Sequence, residues 1–219
     1  MTPLAGLRGQ QRLDRWLVRG VALLVVVGVT SALARYLLPG RIHLWLAEPL
    51  YGSYAPEQLP VLAAHPVWEA LHRLGGAVYL VLGVLQFQPG LRARRPALHR
   101  AVGRSFIGLS LVAAVSGGYM AVAFPYEPGE TLPALLAAGW MAFTAGMAWW
   151  LIRRRDVQRH REWMMRSLAV GLGIATIRVL AVIGLNLGPW NTRQLIAPLF
   201  WIGWLLTILA AEAWIRFRR

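Results

Sequence analysis

The chain has 219 residues, a net charge of +14, 57% hydrophobic residues and only 15% charged residues, against about 25% charged residues in a soluble domain. It has no cysteine, which excludes disulfides, thiolate metal centres and Cys-ligated iron–sulfur clusters. Every basic residue is arginine, which removes lysine Schiff-base chemistry. Most of these arginines flank apolar blocks, so the positive charge marks topology and anionic lipid headgroups rather than nucleic acid.

The apolar residues come in long blocks, not in strand-like alternation, so lipid is the solvent and the spanning elements are helices. The first block, about 20–38, follows Arg8, Arg12, Arg15 and Arg19. With Ala32-x-Ala34 it has the outline of a signal peptide, but is read here as the first membrane helix. Residues 39–71 are rich in Pro, Trp, Tyr and Leu, which predicts an external segment lying in the membrane interface. Further spans are predicted at about 72–89, 101–124, 131–152, 163–185 and 196–215, separated by Pro-Gly turns and arginine runs.

The arginines fix the expected orientation. One side holds the first flank, Arg92, Arg94, Arg95, Arg100 and Arg104, then Arg153, Arg154, Arg155, Arg159, Arg161 and Arg166, and finally Arg216, Arg218 and Arg219. That is eighteen of the 23 basic residues, which makes this side cytoplasmic. The expectation is a six-helix, all-α bundle of one domain with both termini inside, multi-pass in a bacterial inner membrane.

Three of the five histidines precede an arginine. His72-Arg73-x-x-Gly76-x-x-Tyr79 returns as His99-Arg100-x-x-Gly103-x-x-Phe106 at the start of the next helix, which runs the other way. This pattern predicts an inverted repeat. His99 and His160 both stand at the cytoplasmic end, and two imidazoles on facing helices are what axial ligation of a b-type haem requires. In that reading Arg100, Arg104, Arg161 and Arg166 hold the haem propionates, and Gly103 and Gly108 let the macrocycle approach. Without haem, the same mouths serve as interface anchors or hold lipid phosphate. His72 belongs to the external end, near His65 and His43.

Arg178 lies 15 residues into the fifth span, and so deep an arginine is a functional-site candidate. Tyr79, Ser116 and Tyr119 are expected at its level, framing a quinone carbonyl, a propionate or an anionic substrate. Glu212 is read as an i, i+4 partner of Arg216. No phosphate loop with lysine, His-Glu-x-x-His zinc motif or Gly-x-Ser-x-Gly elbow is present, so the motifs give no support to an ATPase or a soluble-type hydrolase.

The stretch from about His65 to Leu185 resembles a group of bacterial predicted membrane proteins classed as a domain of unknown function. The likeness rests on Leu71-His72-Arg73-x-x-Gly76, Gln86-Phe87, Leu98-His99-Arg100-x-x-Gly103-Arg104, His160-Arg161-x-Trp163-Met164-x-Arg166-Ser167 and Thr176-x-Arg178, and implies a helical bundle. A second, fainter resemblance is to the dihaem cytochrome b superfamily, which implies haem between paired histidines. The fourth span has no histidine, so at most one bis-His haem fits. The leading expectation is an electron-transfer protein with one haem b and a quinone. The alternatives are an accessory or assembly subunit contacting other membrane subunits, or a small transporter.

Overall fold

The computed structural model describes residues 3–38, 60–125 and 127–218, and they are helical almost throughout. The helices are α1 (Pro3–Leu37), α2 (Pro66–Gln86), the short α3 (Pro89–Arg94), α4 (Pro96–Ala123), α5 (Pro128–Arg153), α6 (Val157–Leu187) and α7 (Thr192–Phe217). Residues 60–64 form a further turn of helix ahead of α2.

Proline begins α2, α3, α4 and α5 at the position where a missing N–H costs nothing. Asp156 caps α6 by accepting from the Arg159 amide, and Asn191 with Gln194 forms a capping box on α7. Helix starts therefore lie outside the apolar cores. The second helix begins at Pro66, so His72 sits within its second turn rather than at its mouth. Most of the expected interfacial segment, 39–59 with His43, lies outside the described residues.

Among the described residues, five helices are long and apolar enough to cross a membrane: Asp14–Ala34, Pro96–Ala123, Pro128–Arg153, Val157–Leu187 and Arg193–Phe217. The remaining long helix, α2, carries Glu69, His72, Arg73 and Gln86 along its 21 residues. A chain solvated by lipid follows, because so many apolar faces are left on the outside of the bundle: Val115, Val122, Phe143 and Leu209 are all exposed.

The six long helices alternate in direction. An ion pair from Arg218 to Asp14 ties the end of α7 to the first half of α1. At that Arg-rich end also lie the α2–α4 connection and the α5–α6 turn. Inside, Tyr79, Phe106, Leu168, Met164 and small residues such as Ala145 and Ala148 form one core. Small residues let helices approach closely where no hydrophobic drive from water exists.

The repeated motif has a physical counterpart. Tyr79 of α2 and Phe106 of α4 occupy its equivalent last positions, and their rings stack at 4.5 Å between centroids. Around that contact the helices run antiparallel. Gln86 Nε2 donates to the His99 carbonyl (2.9 Å) at one end, and His72 Nδ1 lies 3.4 Å from Ser116 Oγ at the other. Each helix thus places its histidine beside the last turns of its partner.

Candidate functional sites at the two ends of the bundle

The first site is a cleft at the Arg-rich end. It forms because α5 and α6 are joined by a turn of few residues. Arg155 takes a left-handed conformation, φ 63°. The Arg155 amide then donates to the Ile152 carbonyl and the Asp156 amide to the Leu151 carbonyl, a Schellman closure usually built on glycine. The closure returns the chain at once, and His160 arrives one turn into α6 with Nδ1 2.8 Å from the Ala148 carbonyl of α5. A carbonyl only accepts, so Nδ1 carries hydrogen, and in the neutral ring Nε2 keeps the lone pair.

His99 approaches from α4, one turn after Pro96. Gln86 fills the space over Gly103, where an added Cβ would stand 3.0 Å from Gln86 Oε1. His99 and His160 line one cavity of about 500 Å³ together with Arg92, Arg100, Arg104, Arg153 and Arg161. Among the described residues, no acidic residue lines it. Among the described residues, His99 Nδ1 is buried with no hydrogen-bond partner.

The cleft gathers part of the expected set. Arg100, Arg104 and Arg161 line it; Arg166 does not. Arg166 Nη2 instead donates to Glu212 Oε2 at 3.0 Å, stands 4.0 Å from Glu162, and its guanidinium lies over the Trp163 ring. This clamp between α6 and α7 engages Glu212 across helices, with a fork that suits a carboxylate. Gly108 has open space around it and lies on an exposed face, so only Gly103 borders the cleft.

The second site is a cavity of about 190 Å³ towards the opposite end, with lining residues from α1, α2, α4, α5, α6 and α7. His72, Arg73, Tyr79, Glu130 and Arg178 line it. Glycines make room for two of these side chains. A Cβ on Gly117 would meet His72 at 2.9 Å, and a Cβ on Gly171 would overlap the Tyr79 ring. The Tyr79 hydroxyl continues inward, donating to the Ser167 carbonyl at 2.6 Å, with Ser110 Oγ 3.3 Å from Ser167 Oγ.

Ser116 is buried behind His72 and already donates to the Val112 carbonyl at 2.6 Å. Across the 3.4 Å to His72 Nδ1, the ring nitrogen is therefore the donor. Tyr119 does not reach the cavity; it stacks on Trp68 at 4.3 Å and is 37% exposed. His65 stacks on Phe124 at 4.8 Å.

Sequence reasoning missed two carboxylates here. Glu130, in the first turn of α5, is 3% exposed, and Glu69 is 4% exposed. Glu69 pairs with Arg73 one turn on, at 3.5 Å. The signal was available, since the chain has only nine acidic residues and each one near an apolar span needs a reason.

Residues 69–215 match the family described as predicted membrane protein, DUF2306. The chain belongs to this family. No curated protein and no solved structure matches. The DUF2306 region begins at Glu69, the acid paired with Arg73, and runs through the last turns of α7. Both sites draw mainly on residues within it; Gly28, Ala32 and Leu62 of the cavity wall precede it. Family and helix composition agree on a lipid bilayer as the protein's environment.

Proposed function

We propose that this protein is a membrane electron carrier with one b-type haem in the cleft between His99 and His160. The observation that carries the reading is that these two imidazoles, from different helices, line one cavity while the Ala148 carbonyl holds His160 through Nδ1. Metal-ligating histidines are commonly oriented in this way through the nitrogen that does not bind the metal. A bound haem would take up and release one electron. Arg100, Arg104 and Arg161 offer its propionates forked donors, and Gln86 fixes the backbone at His99.

The matching topology is six crossings of a bacterial cytoplasmic membrane with both termini inside. Its support is the charge of the Arg-rich end and the length of α2, whose 21 residues extend over about 30 Å, the thickness of a hydrocarbon core. A periplasm-active reporter fused after Arg219 is expected to stay silent; a strong signal rejects the orientation.

An absorption spectrum of the purified protein tests the haem. A Soret band that shifts on dithionite addition is expected; a folded, colourless protein overturns the reading. A second reading has its own observation: among the described residues, five arginines and no acid line the cleft, the chemistry of an anionic headgroup site. A colourless protein that retains anionic lipid in preference to phosphatidylcholine would support it.

A further inference from the structure

We infer that the cavity at the opposite end binds the ring of a membrane-borne quinone, a ligand site separate from the haem cleft. On α4 the cleft's lining ends at Ile107 and the cavity's begins at Ala113, six residues or about 9 Å further along at 1.5 Å per residue, so the two are distinct sites.

Size sets the first limit. A cavity of about 150 Å³ holds a benzene ring, so one of about 190 Å³ takes a single substituted ring and excludes a nucleotide or a sugar chain. Chemistry sets the second. Arg73 and Arg178 bring guanidinium donors, and Glu130 brings a carboxylate acceptor. His72 has Nδ1 turned to Ser116, which leaves Nε2 as the ring's acceptor. Guanidinium has five N–H groups and a carboxylate about four lone-pair sites, so partnerships within the protein leave capacity for a ligand.

Donors and acceptors side by side fit a molecule whose two oxygens are carbonyls in one form and hydroxyls in the other. The carbonyl form accepts from arginine, and the hydroxyl form donates to Glu130 or His72. The remaining wall is apolar, with Leu80 and Trp204 among its side chains, as an aromatic ring requires. Lipid solubility completes the match, since a membrane-borne quinone shares the bilayer with this bundle.

The test is equilibrium binding of a short-tailed benzoquinone to the full-length protein in detergent. The parent is expected to bind saturably, one per chain. Arg178→Gln is expected to weaken binding at least tenfold. Gly76→Leu keeps every charged group and fills the space instead, because a Cβ at Gly76 meets nothing within 4 Å; it is expected to abolish binding. Arg159→Gln, exposed at the far end and lining neither site, is expected to bind as the parent does. No saturable binding by the parent overturns the inference, as does parent-like binding by both Arg178→Gln and Gly76→Leu. A Soret band recorded on the same preparations separates the two readings, since quinone binding without haem sinks only the first.

Discussion

At one end of the α2–α4 pair the His-Arg motif stands beside two buried carboxylates; at the other it stands among five arginines and no acid. The two copies share His, Arg, Gly and a final aromatic residue, and differ three positions before the histidine. The first copy has Glu69 there, one turn from Arg73 and paired with it. The second has Pro96, which starts its helix and offers Arg100 no carboxylate. This position contributes to the difference between a cavity with its own counter-charges and a cationic cleft. The histidine is common to both copies, so the difference between the two ends lies in its neighbours.

Substitutions made in equivalent pairs sharpen this contrast. The largest effect concerns the cofactor. His99→Ala and His160→Ala are each expected to abolish a Soret band, while His72→Ala leaves it intact; loss of the band in His72→Ala would break the assignment of haem to the Arg-rich end. Next comes charge. Arg73→Leu removes the guanidinium beside the buried Glu69 and is expected to cost about 3 kcal/mol of stability, read from unfolding in detergent. Arg100→Leu, exposed at the other end, is expected to stay within about 0.5 kcal/mol of the parent. Equal losses would show that the two ends are not electrostatically distinct.

The glycines give a smaller difference. Gly103→Ala requires the Gln86 side chain to give by a few tenths of an ångström, at an expected cost of about 1 kcal/mol, the low end for overpacking. Gly76→Ala enters open space and is expected to be neutral. Smallest is Tyr79→Phe. It removes the hydroxyl bond to Ser167 and keeps the ring stack, for a loss of about 1 kcal/mol; Phe106→Tyr at the equivalent position tests whether that asymmetry is required.

Much of the helical architecture was legible because apolar blocks and arginine runs report on lipid directly. The two motif copies lie on helices that pack against each other, and their last positions meet in the Tyr79–Phe106 stack. Helix starts were less legible. Lipid needs only the apolar middle of a helix, while prolines at Pro66 and Pro96 and the Asp156 cap begin the helices earlier. Orientation about the helix axis was the other blind point. Ser116 and Tyr119 are both expected from sequence to frame the Arg178 site, but neither lines the cavity: Ser116 is buried behind His72 and bonded to the Val112 carbonyl, and Tyr119 stacks on Trp68. Arg166 shows the same limit. Its neighbours along α6 suggested the cleft, whereas its partner Glu212 comes from a helix 46 residues on.

The ring stack of Tyr79 on Phe106 has a mechanical consequence. His72 and Gln86 each lie seven residues from Tyr79, about 10 Å along the axis at 1.5 Å per residue. The stack therefore divides that stretch of α2 into two equal arms. A rigid tilt of α2 about it moves the cavity end and the cleft end by the same distance in opposite senses, so widening at one mouth is matched by narrowing at the other. Spin labels placed across each mouth would record the two distances changing in opposition, and independent changes would show that α2 does not act as a single lever.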